Sequence, residues 1–199
     1  MSGYSFSIER LRAWSNYVLA ALIVGALCEV ATHTFVYFEQ KGLSIGLDPH
    51  RLVLAMALIW VITVLIMWLC FLRWVYLAHA NLRALGFDGG NFTPGWAVGW
   101  YFIPIANLWK PLEAMRELWQ ASYEGFMRDR TETPHILWIW WVTFLIAPWV
   151  LPFLLNEEAY GPMEVVVTIS NITGLYLTWR VVDIITRRQA INPLTAVFE

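Results

Sequence analysis

Four windows of this chain, at about residues 14–38, 52–76, 136–155 and 163–185, are apolar over the length that crossing a bilayer requires. Hydrophobic residues make up 59% of the 199 residues and charged residues 14%, a balance that excludes an ordinary soluble domain and a disordered one. The expected fold is therefore an all-α membrane protein, one membrane domain over residues 1–199, with four transmembrane helices.

Basic residues set the expected orientation, because cationic flanks resist translocation. With the N-terminus inside, only Lys41 and Arg51 of the 13 lysines and arginines fall on the outer side, so both termini are expected in the cytoplasm. The outer loops are short and acidic, with Glu39 and Asp48 in one and Glu157, Glu158 and Glu164 in or beside the other. Basic residues spread along the membrane boundary suit anionic headgroups, and without a zinc-finger or RNA-binding signature no nucleic-acid partner is expected. The basic start and long apolar run lack a small-residue cleavage site after a short core, and read as a retained span. Cys28 and Cys70 belong to opposite halves of their spans, about 20 Å apart in depth, and are expected to be free packing residues.

The second window continues in helical composition as FLRWVYLAHANLRALG, so its helix should protrude into the cytoplasm and stop at Gly86. Thr93 and Pro94 then read as an N-cap and first helical residue. The apolar piece that follows, residues 94–106, spans about 20 Å as helix against about 30 Å of hydrocarbon, so it must re-enter, lie at the interface or pack inside a bundle. Gly95 and Gly99 offer a small-residue face for close helix approach. Pro104 interrupts the helix, and Asn107 and Pro111 bracket a restart. Beyond it Leu108, Leu112, Met115, Trp119 and Phe126 recur at helical spacing opposite Lys110, Glu113, Glu117, Gln120 and Glu124, the pattern of an amphipathic interfacial helix with its wet face toward the cytoplasm. The tryptophans at 96, 100, 109, 138, 140 and 141 suit a headgroup-level belt.

Four pieces, RWVYLAHANLRALG at 73–86, FTPGWAVGWYFIPIANLWKPLEAMRELWQAS at 92–122, LWIWW at 137–141 and VVDIITRRQ at 181–189, carry a family resemblance. Asn81, Pro104, Asn107, Trp109, Pro111 and Glu117 are its most specific positions. Over about residues 50–190 the chain resembles a family of bacterial membrane proteins known as domain of unknown function 4328. The resemblance implies a multi-span protein of the bacterial inner (cytoplasmic) membrane and supplies no activity, substrate or catalytic residue.

Polar side chains at membrane depth are costly and mark candidate sites. Arg73, Asn81, Asn107, Glu113, Arg116, Glu117, Arg180 and Asp183 are expected to converge at the cytoplasmic boundary, with Arg180 and Asp183 close enough in sequence to pair. They either snorkel, pair and anchor the amphipathic helix, or form a polar pocket for an anion with Arg73, Arg116 and Arg180 as donors. The break at Pro104, Asn107 and Pro111 could expose helix termini to an ion. On the outer side Glu29 and His33, four apart, form a hydrogen-bonded pair, a proton-active pair or half a metal site. No spacing supports a metal or haem, no cofactor is expected, and no nucleophile elbow, zincin motif, phosphate loop or dinucleotide fingerprint occurs.

The leading expectation is a non-catalytic scaffold or accessory subunit that binds membrane lipids, a membrane-protein partner or a second copy of itself through residues 92–126. The alternatives are a small transporter or channel using the break at residues 104–107, and a lipid-modifying membrane enzyme.

Overall fold

A computed structural model describes residues 6–42, 48–87, 90–122, 134–154 and 160–191, with side chains described except at 39–40, 49–50, 145–154 and 160–167. The described backbone is helical without strands: α1 Ile8–Gln40, α2 Pro49–Ala84, α3 Pro94–Gly99, α4 Lys110–Ala121, α5 His135–Leu154 and α6 Tyr160–Ile191. Phe126, Glu124, Glu157 and Glu158 lie outside the described residues.

Two of these helices, Ile8–Phe38 and Arg51–Ala84, are long and apolar enough to cross a membrane. Only 17% and 6% of their most apolar windows are buried, whereas the core helices of a water-soluble fold turn such stretches inward. Leu54, Leu58, Ile62, Leu65 and Leu69 of α2 are all exposed, leaving an apolar surface that some other phase or chain must cover. The expectation of four transmembrane helices is thus met at two; α5 and α6 coincide with the third and fourth windows, but the described apolar stretch of α5 is His135–Phe144.

Helix α1 packs on α2 and α6, and α6 on α5. Burial concentrates at one end of this bundle, where Leu11, Trp74, Val75, Ala78, Met115, Leu118, Leu137, Trp140, Val182 and Ile185 are essentially inaccessible. Indole N–H groups tie the helices together there: Trp74 donates to Thr186 Oγ1 and Trp140 to Thr178 Oγ1, both at 3.0 Å. Trp140 and Trp141 are therefore core residues and not the belt expected of them, because each is enclosed by Phe144, Phe71 or Tyr101 rings. Trp96, Trp109 and Trp138 do remain exposed.

Helix α2 stops as expected. Gly86 takes φ +84°, its N–H bonds to Arg83 O at 3.1 Å, and Phe87 N–H bonds to Leu82 O at 3.0 Å, which closes a Schellman turn. Thr93 caps α3 by accepting from Trp96 N–H, and Pro94 occupies the first turn. The helix expected to run up to Pro104 is shorter: α3 ends at Gly99, the chain tightens into a 3-10 turn over Trp100–Phe102, and Ile103 is extended at φ −97°, ψ 109°. The proline ring disfavours helical backbone for the residue before it, and here the break begins ahead of Pro104. A second 3-10 turn, Ala106–Leu108, leads into α4.

The apolar stripe of α4 is used inside the protein, and the glycine face of α3 is not used for close approach. Helix α4 turns Leu112, Met115, Leu118 and Trp119 into the protein core, against α2 and α5, so its apolar stripe is used internally. Helix α3 packs on α2 with Pro94 and Ala97 buried, but not through its glycines: a Cβ at Gly95 would meet nothing within 4 Å, and one at Gly99 would meet only the Trp96 ring.

Candidate functional site

The residues expected to converge at the basic end are distributed over separate contacts. Arg73 lies over the rings of Tyr76 and Trp14, 5.3 and 6.0 Å from their centroids. Asn81 is buried and joins three segments, accepting from Ser7 N–H at 3.1 Å and donating to Ser7 O and Gln189 Oε1 at 3.4 Å. Gln189, fully buried, donates in turn to Ala78 O and Ser122 Oγ. Glu113 pairs with Lys110 at 2.6 Å on the exposed face, and Arg116 is half-buried on α4. Arg180 lies over Trp179, while Asp183 pairs with Arg187 at 2.8 Å. The expected Arg180 to Asp183 pair is thereby corrected: residues four apart stack more directly along a helix than residues three apart, and Arg187 takes the carboxylate.

Glu117 forms a clamp between α4 and the loop before α3, accepting from Asn91 N–H at 2.7 Å and Phe92 N–H at 3.3 Å. Burial pushes its carboxyl above the ordinary range, against the opposing pull of these two amides and of Arg83. Arg83 holds the same loop by donating to Gly90 O and Phe92 O. Gly90 permits the approach, since a Cβ there would stand 2.5 Å from Glu117 Oε1.

Around the break, four backbone carbonyls find donors. Ile103 O accepts from Asn107 N–H at 2.7 Å, Ile105 O from Leu108, Ala106 O from Trp109, and Leu108 O from the Trp141 indole at 3.0 Å. Asn107 Oδ1 is buried with no partner among the described residues. Pro111 is buried in the first turn of α4, and the apolar tips around Pro104, Phe102 and Ile105, are 70% and 73% exposed.

A different site lies between the long helices. A cavity of about 350 Å³ is walled by α1 (Val18, Leu22, Gly25, Glu29), α2 (Trp60, Thr63, Val64, Met67, Trp68, Phe71), α5 (Thr143, Phe144) and α6 (Asn171, Gly174, Leu175, Thr178). Its aromatic wall is a cluster in which Phe144 stands 5.3 Å from Trp68 and 6.1 Å from Phe71, joining α5 to α2. Of the sequence pair, Glu29 lines this cavity, and His33 Nε2 stands 3.6 Å from Glu29 Oε1. That is an ion-pair distance and too long for a hydrogen bond. The hydrogen bond comes from Asn171 Nδ2, 2.7 Å from the same oxygen.

Sequence reasoning missed Asn171, Gln189 and Ser122. Asn171 stood out in principle as a lone amide within the fourth apolar window; the other two resemble ordinary helix-end polar residues. Among the described residues no group of three His, Cys, Asp or Glu could hold a metal, and both cysteines are free. What the cavity can do chemically is enclose an apolar body and present one carboxylate to it.

No curated protein and no solved structure matches the chain. A family model does match, over residues 49–187, and the chain belongs to that family, the domain of unknown function DUF4328.

Proposed function

We propose that this chain is a non-catalytic membrane protein of the bacterial inner membrane, crossing four times with both termini in the cytoplasm, that holds a lipid-like molecule between its long helices. The observation that carries this reading is the cavity of about 350 Å³ to which α1, α2, α5 and α6 all contribute, apolar over most of its wall and polar at Glu29 and Asn171. Ligand sites of bundles take this form, with a few polar groups orienting an otherwise apolar guest. The outward apolar faces of α1 and α2 support membrane insertion, and the basic residues at the densely packed end support a cytoplasmic position for it.

On this reading the segment from α3 to α4 is an inner-side cap. Its buried stripe closes the bundle, and its exposed Trp96, Phe102, Ile105 and Leu108 rest in the inner leaflet or against a membrane partner. An ion-transport role for the break draws less support, because the carbonyls of Ile103, Ile105, Ala106 and Leu108 there are already bonded.

Native mass spectrometry from mild detergent tests the proposal. The wild-type chain should retain lipid-sized mass, and Gly174→Leu, which fills the cavity from α6, should release it. Equal retention by both, or none by either, would remove the guest-binding role. Periplasmic labelling of a cysteine placed at Lys110 in sealed cells would overturn the orientation.

A further inference from the structure

Glu29 is the single formally charged side chain among the described residues lining the cavity, and its side chain is only 14% exposed. A carboxylate so far removed from water is costly unless countercharge and hydrogen bonds replace the lost hydration. Asn171 supplies a neutral amide to Oε1. His33, the one group of cationic capacity within ion-pair distance among the described residues, lies beside that same Oε1, and 31% of its side chain remains exposed. Oε2 has no described partner.

The rest of the polar wall does not favour an anion. Thr143 spends its hydroxyl hydrogen on the carbonyls of Ile139 and Trp140 of its own helix, and Thr178 spends its own on Gly174 O. What remains is the Thr63 hydroxyl, 3.9 Å from Cys28 Sγ, and the indoles and rings of Trp60, Trp68, Phe71 and Phe144, with no cationic side chain among the described lining residues. Ring faces and a carboxylate both attract positive charge. The volume, about 350 Å³, lies at the lower end of ligand pockets, which run about 300–1,000 Å³ and suit one hydrocarbon chain better than two.

From this convergence we infer that the cavity is a site for a protonated amine carried on a single hydrocarbon chain, the ammonium on Glu29 and the chain along the aromatic wall. The inference rests on the guest-binding reading above and names the chemistry of the guest. The geometry also explains the two glycines of the lining. A Cβ at Gly25 would approach only Thr63 Cγ2, at 4.0 Å, and one at Gly174 would sit 3.7 Å from Thr143, an ordinary contact. Neither glycine is required by close helix approach, and each leaves open volume that a guest can use.

The test is native mass spectrometry of the full chain in a neutral detergent, titrated with dodecylamine, dodecanol, dodecanoate and lysophosphatidylethanolamine. Dodecylamine should bind at least about tenfold more tightly than dodecanol, as a charge-assisted contact predicts. Dodecanoate should bind most weakly. Glu29→Gln should erase the preference, and Gly25→Leu and Gly174→Leu, which fill the cavity from α1 and α6, should weaken every probe. Glu29-dependent binding of the lysolipid would assign the amine to a lipid headgroup; its exclusion beside bound dodecylamine would assign it to a free amine. Equal affinity for dodecylamine and dodecanol, or a preference that survives Glu29→Gln, overturns the inference. Equal affinities that both glycine variants abolish would leave the guest-binding cavity standing, whereas failure of every probe on the wild-type chain would take down both.

Discussion

Asn171 on α6 donates its side-chain amide to Glu29 on α1 across 2.7 Å, joining residues 142 positions apart at the polar end of the bundle cavity. Removing the amide leaves a mostly buried carboxylate oxygen with His33 alone beside it. Asn171→Ala should cost about 1 kcal/mol of stability in detergent or bilayer, and Thr173→Ala on the exposed side of the same helix about 0–0.5 kcal/mol. Thermal unfolding of both variants checks this, and equal midpoints would show that the bond contributes nothing.

The Trp74 indole and the Thr186 hydroxyl form a buried bond between α2 and α6 at 3.0 Å. A cycle built from Trp74→Phe, Thr186→Val and the double variant should return a coupling energy of about 0.5–1.5 kcal/mol. The bond is one of the few polar ties through the densest part of the core, so additive effects would mean that packing alone holds these helices.

Gly86 ends α2 at φ +84°, a backbone region that a Cβ disfavours. Gly86→Ala should destabilise the protein by about 1 kcal/mol, and Gly86→Asn by less, since asparagine tolerates the left-handed region better. Open space surrounds the position, so steric clash would not confuse the measurement.

Glu117 gives the protein a pH dependence of defined sign. Burial raises its carboxyl pKa in the folded state, so the folded chain keeps that proton longer than the unfolded chain as pH rises. The resulting contribution to stability is complete below the unfolded pKa and is lost as pH climbs through the folded one. Over that window the wild-type chain should lose stability relative to Glu117→Gln, read from melting curves across a pH series. Parallel curves would show that the amides of Asn91 and Phe92 with Arg83 fully offset the burial.

Local chemistry was legible wherever it acts over a few residues. The Schellman stop at Gly86, the Thr93 cap with Pro94, the interruption at Pro104 and the amphipathic character of α4 each follow from steric and hydrogen-bonding rules that need only neighbours in the chain. The same reach explains the Glu29 and His33 pairing, one helical turn apart. Family membership was legible too, because the residues around the break form an unusual local pattern.

Which surface each apolar stripe meets was decided only in three dimensions. An amphipathic helix satisfies its apolar face equally well on a bilayer or on a protein core, and the sequence of α4 cannot choose between them; the open side of the bundle beside α2 and α5 does. Tryptophans at 140 and 141 have the same ambiguity, and the buried Thr178 hydroxyl and the Leu108 carbonyl resolve it by accepting from their indoles. Asp183 chose Arg187 over Arg180 by helical geometry, and Glu29 met Asn171 only because α1 packs on α6. Periodicity and capping fixed the helices from the amino acids alone, being short-range forces; the cavity and its carboxylate arise from where four helices fail to fill the space between them, which no single segment encodes.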